Sequence, residues 1–72
     1  MNKELLKGNW NIIKGKVKQQ WGNLTDDDMS AIEGSYDELV GRIQKKYGYQ
    51  EEQTRKEVDS FIENNCKNNT RL

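Results

Sequence analysis

Six glycines occur in this chain of 72 residues, and they form two ladders of the same pitch: Gly8, Gly15 and Gly22, then Gly34, Gly41 and Gly48, each step seven residues. A shift of twenty-six residues lays one ladder on the other. The residues between them then correspond: Trp10 over Tyr36, Ile13 over Leu39, Lys16 over Arg42, Val17 over Ile43 and Trp21 over Tyr47. An internal repeat of this length is one supersecondary unit used twice. It constrains the fold strongly and the chemistry hardly at all.

The repeat is built from helices. The chain has no proline, no strand-like alternation and no β-branched run. Trp10, Ile13, Val17 and Trp21 recur at i, i+3, i+7 and i+11, one apolar stripe on a helix of about three turns. Asn9 is suited to cap its start, and Gly22 to close it in the left-handed conformation. A second, short helix opens at Thr25, with Asp28 as capping-box partner and Leu24 and Met29 as a hydrophobic staple; Ile32 continues its buried face and Gly34 stops it. Ser35 and Glu38 open a third, with Tyr36, Leu39, Val40, Ile43 and Tyr47 facing inward and Gly48 at its end. A fourth runs from about Glu51 to Glu63, burying Thr54, Val58, Phe61 and Ile62, with Glu51–Arg55 and Glu52–Lys56 pairs outside. Residues 1–7 are ambiguous, with Leu5 and Leu6 as possible docking side chains.

The connections 22–25 and 48–50 are short, so each repeat reads as a helical hairpin. A single hairpin cannot bury its own stripe. The expectation is an all-α, four-helix domain of two packed hairpins over residues 1–63, with repeats at about 8–33 and 34–59, approximate two-fold symmetry and a flexible tail over 64–72.

Composition makes that domain a marginal one. Apolar residues are 32% of the chain, against about 45–50% in ordinary globular proteins, and mean hydropathy is −1.16. Little burial is available to offset conformational entropy. Net charge is zero but patterned: residues 1–24 hold five lysines against Glu4, whereas 25–40 hold six acids and no base. Any electrostatic partner is therefore met locally. No N-terminal apolar run suits a signal peptide or membrane span, and the single Cys66 fits a reducing compartment. The expectations are a cytoplasmic monomer, no membrane association, and no use for the glycosylation patterns at Asn23 and Asn68.

Four features compete for a functional reading. Asp26, Asp27 and Asp28 are consecutive, which suits the positive end of a helix dipole better than a calcium loop with alternate ligands, so no metal site is assigned. Lys3, Lys7, Lys14 and Lys18 share one face if the first helix extends upstream; Lys7, Lys14 and Lys18 are the candidate anion or nucleic-acid face, and the competing reading is a solvated face that complements the C-terminal end of the first helix and the acidic second helix. Trp10, Trp21, Tyr36 and Tyr47 lie on the apolar stripes, which makes them core rather than a base-stacking platform. Gly15 and Gly41 are helix-interior and point away from the core, each costing about 1 kcal/mol relative to alanine, which raises the close approach of another helix or a partner. Nothing supplies a reaction: there is no histidine, no cysteine beside a base and no phosphate loop after a strand, so no catalytic residue and no cofactor are assigned.

Gly8-Asn9-Trp10, Lys14-Gly15-Lys16-Val17-Lys18, Trp21-Gly22-Asn23-Leu24-Thr25-Asp26-Asp27-Asp28, Leu39-Val40-Gly41 and Tyr47-Gly48-Tyr49-Gln50 resemble the CsbD-like family of small bacterial proteins, over residues 8–60. The resemblance implies a compact fold of two hairpins packed crosswise, similar to SAM-like and helix-hairpin-helix domains, in a protein made in quantity during general stress. It implies no enzymatic activity or cofactor. The helix-hairpin-helix likeness implies DNA, yet Gly22-Asn23-Leu24 and Gly48-Tyr49-Gln50 lack the second glycine of that turn. Three functions follow as expectations: a non-enzymatic, protective stress protein; a nucleic-acid module using the lysine face; and a protein-interaction module.

Overall fold

The computed structural model describes residues 2–67. Among them the chain forms five α-helices, α1 (Asn2–Gly8), α2 (Trp10–Gln20), α3 (Asp26–Ile32), α4 (Tyr36–Tyr47) and α5 (Glu51–Ile62), then a π-helical turn, Glu63–Lys67, and no strand. The expected four helices thus gain a fifth at the N-terminus. Its anchor is Leu6, fully buried in the core, and the helix lies against α4 and α5. The break from α2 falls at Asn9. Its side chain does not cap α2 as expected; the Nδ2 amide turns back and donates to the Leu5 carbonyl at 2.9 Å.

The helix ends show which local signals acted. At α3 the capping box is complete: Thr25 Oγ1 accepts from the Asp28 N–H at 3.1 Å, and the Asp28 carboxylate accepts from the Thr25 N–H at 2.8 Å. At α4 it is half made. Ser35 Oγ accepts from the Glu38 N–H at 3.3 Å, but the Glu38 carboxylate accepts from Arg42 Nε at 2.9 Å. Gly48 closes α4 in the left-handed region, φ 73°. Gly22 does not do the same for α2, whose last cap is Trp21 at φ −122°. At the end of α3 the left-handed position is Glu33, φ 42°, with Gly34 following at φ 86°. Gly34 is also sterically required, since a Cβ there would lie 3.1 Å from Lys7 Cα and 3.2 Å from Trp10 Cβ. On α5, Arg55 pairs with Glu51 at 2.8 Å, while Glu52 and Lys56 make no ion pair among the described residues.

The core is one cluster. Trp10, Ile13, Val17 and Trp21 enter it from α2 and its end, Leu24 and Ile32 from the second segment, Tyr36, Leu39, Val40 and Ile43 from α4, and Val58, Phe61 and Ile62 from α5. Trp21 packs on Phe61, ring centroids 5.1 Å apart and tilted by 60°. Met29 and Tyr47, expected in the core, are half-buried at its edge. Tyr47 sits there because its hydroxyl accepts from the Asn23 N–H at 3.1 Å, which brings the ring end to the surface, stacked on Tyr49. Thr54 is buried with its hydroxyl satisfied by the Gln50 carbonyl at 2.8 Å.

The C-terminal boundary also moves. Residues 64–67, expected in a flexible tail, belong to the π-helical turn; Asn65 Nδ2 donates to the Phe61 carbonyl at 2.8 Å and Cys66 is only 5% exposed. Burial pushes the Cys66 thiol above its ordinary pKa, which disfavours the thiolate. The remainder of the expected tail, 68–72, lies outside the described residues.

Candidate lysine groove

The tight turn at Glu33 and Gly34 fixes where α3 lies, and that placement creates a groove between α2 and α3. Two adjoining hollows make it up. One, of about 420 Å³, is lined by Lys7, Trp10, Asn11, Lys14, Met29, Ser30 and Glu33. The other, of about 350 Å³, is lined by Lys14, Gly15, Lys18, Asp26, Met29 and Ser30. All three expected anion-binding lysines, Lys7, Lys14 and Lys18, therefore stand on the α1–α2 lip. Lys3 does not join them; it donates to Asp37 at 3.4 Å, beside the Tyr36 ring.

The opposite lip carries acids of α3 and its C-cap, the complement that the solvated-face reading of the lysines expects. Lys18 Nζ reaches Asp26 Oδ1 at 3.1 Å across the groove, and Glu33 stands at the other end. Lys7, Lys14 and Glu33 make no ion pair among the described residues. Gly15 is exposed and lines the second hollow rather than a helix contact: a Cβ built on it meets nothing within 4 Å, and the same holds for Gly41. No helix among the described residues approaches either glycine closely, which removes one of the two explanations offered for them.

The three consecutive aspartates diverge. Asp26 goes to the groove, Asp27 is exposed, and Asp28 points inward. The Asp28 carboxylate gathers the Thr25 N–H, Arg42 Nη1 at 2.8 Å, Lys46 Nζ at 3.1 Å and the Thr25 hydroxyl at 3.1 Å. The backbone hydrogen bond from Thr25, then Arg42 and Lys46, hold it well below the usual carboxylate range, against the opposing effect of burial. This carboxylate rivets α3 to α4. Sequence reasoning found its capping half and missed its ionic half; the i, i+4 spacing of Arg42 and Lys46 on one side of α4 was the available signal.

A second polar knot lies on the far side. Tyr36 donates its hydroxyl to Asp59 at 2.7 Å, joining α4 to α5, with the Arg55 guanidinium 5.5 Å from its ring centre. Burial and the Asp59 carboxylate raise the phenol above its ordinary pKa. Every buried side-chain nitrogen and oxygen among the described residues has a partner. Within the described residues the chemistry on display is ionic recognition and hydrogen bonding.

A family model described as CsbD-like matches residues 4–56. The chain is 64% identical over 61 residues to UPF0337 protein YjbJ of Escherichia coli O6:H1, covering 85% of this chain and 88% of that one. It is 60% identical over 58 residues to UPF0337 protein ECA0631 of Pectobacterium atrosepticum, covering 81% and 84%. It is 44% identical over 61 residues to UPF0337 protein PA4738 of Pseudomonas aeruginosa, covering 85% and 94%. No solved structure matches it. No helix among the described residues is long and apolar enough to cross a membrane. With its glycine ladders, its capping signature and relatives matched along most of their length, the chain belongs to the CsbD-like family.

Proposed function

We propose that this chain is a non-enzymatic, cytoplasmic stress-response protein that protects other macromolecules by weak surface contact while itself staying folded and hydrated. The observation that supports this reading is the surface. Five ion-pair contacts knit it, and Ile12, at 76% exposure, is the one exposed large hydrophobic side chain among the described residues. A molecule with a single large apolar side chain exposed among its described residues stays soluble at high abundance. The two repeats act in this reading as packed hairpins of helix-hairpin-helix type. The test is protection of a labile enzyme through freezing and drying. The enzyme keeps more activity beside this protein than beside an equal mass of albumin; equal or lower recovery removes the protective role.

A second reading is favoured by one feature, the convergence of Lys7, Lys14 and Lys18 on a single groove. In it the groove binds nucleic-acid phosphates, weakly because Asp26 and Glu33 stand opposite. Amide shifts on adding duplex or single-stranded DNA at about 50 mM salt are the expected result, with Lys14→Gln lowering the log–log salt slope by about one. An unchanged spectrum eliminates it.

A further inference from the structure

The geometry points to a second copy of this chain as the occupant of the groove, docked so that the lysine lip of one protomer lies on the acidic lip of the other. This goes beyond the protective reading and does not depend on it. The groove carries both signs of charge along its length, in matching order. At one end Lys7 and Lys14 share a hollow with Glu33; at the other Lys14 and Lys18 share one with Asp26. Turning a second copy over about an axis that runs along the groove exchanges the two lips and keeps each end with its own end. Base then meets acid at both ends, and the half-buried Met29 of each copy meets the other between them. An isologous contact of this kind requires a self-complementary face.

Two facts favour this occupant over a polyanion or an unrelated acidic protein. The groove's own carboxylates would repel either, whereas a second copy supplies lysines to answer them. The chain has no net charge, so two copies approach without overall repulsion. Three charges are also available for new contacts, since Lys7, Lys14 and Glu33 have no ion-pair partner among the described residues. The contact is small. Helix α2 of 11 residues spans about 16 Å and two adjacent helices about 20 Å, which gives on the order of 300 Å² per copy, in the range of transient associations. The dimer therefore forms at high concentration and dissociates with salt.

Sedimentation of the full chain between about 0.05 and 2 mM at low ionic strength is the experiment. The weight-average mass rises with concentration toward that of two chains, and amide shifts on dilution concentrate at Lys14, Met29, Ser30 and Glu33. Lys14→Glu and Glu33→Lys each weaken association about tenfold, which is 1.4 kcal/mol spread over two symmetric contacts. The double variant Lys14→Glu/Glu33→Lys restores it, as does mixing the two single variants in equal amounts. A mass of one chain throughout overturns the proposal, and so does an association that ignores both single variants or that the double variant fails to recover. No nucleic acid is present in these measurements, so their outcome is separate from that of the DNA titration.

Discussion

The two glycine ladders match in sequence and differ in use. In the second ladder Gly34 and Gly48 occupy the left-handed region, and Gly34 also lies against the α1–α2 junction. In the first, neither Gly8 nor Gly22 adopts a positive φ and neither has a neighbour within 4 Å of a built Cβ. The helices they flank differ in the same direction. Helix α4 is fastened by charge and hydroxyl: Arg42 and Lys46 to Asp28 of α3, Tyr36 to Asp59 of α5. Helix α2 carries no acid, exposes Ile12 where the other repeat has Glu38, and holds to the core by its apolar stripe alone apart from the Lys18–Asp26 pair. The helix of the second ladder serves as the molecule's frame, and the helix of the first presents its open surface.

The largest expected effect is on the frame. Asp28→Asn removes the charge that Arg42 and Lys46 share and lowers the denaturation midpoint more than any other substitution named here. Because the folded-state carboxyl is held below its unfolded value, its contribution is present above about pH 4 and fades as the pH falls through the folded value. The wild-type chain accordingly loses stability as it is acidified below about pH 4, and the Asp28→Asn variant shows a shallower acid limb. A pH series of urea melts reads both. Gly34→Ala comes next, at about 2 kcal/mol of destabilisation from strain at positive φ and collision with Lys7 and Trp10 at the α1–α2 junction. Gly8→Ala at the matching position lacks that collision; an equal loss there would end the contrast between the ladders.

Smaller effects sharpen the comparison. Tyr36→Phe forfeits the bond to Asp59 and costs about 1 kcal/mol in chemical denaturation. Gly15→Ala and Gly41→Ala go the other way, each stabilising by up to about 1 kcal/mol, since helical alanine is favoured and the added methyl enters open space. If alanine at Gly15 stabilises the monomer yet weakens self-association, the α2 side of the groove is part of the contact.

What is legible in the sequence is what depends on local spacing. The stripe from Trp10 to Trp21, the Thr25–Asp28 capping box and the inward face of α5 are all contained within a few turns. Helix α1 is ambiguous in the sequence because seven residues carry no sustained period; its place comes from tertiary packing, with Leu6 buried in the core and the helix in contact with α2, α4, α5 and the π-helical turn. Wheel position alone points Tyr47 inward, but its hydroxyl is claimed by the Asn23 N–H from the other repeat. Asp28's pairing with Arg42 is long-range, set by the direction in which Glu33 and Gly34 send the chain. A left-handed glutamate leaves no trace in a periodicity.

Cys66 sits with its thiol shut in by the turn that ends the described chain, and it is the only cysteine the protein has. A thiol-labelling reagent therefore reaches it only when that turn lifts away. The protein carries its own clock for C-terminal opening, and the modification rate, followed against denaturant, times that event separately from global unfolding.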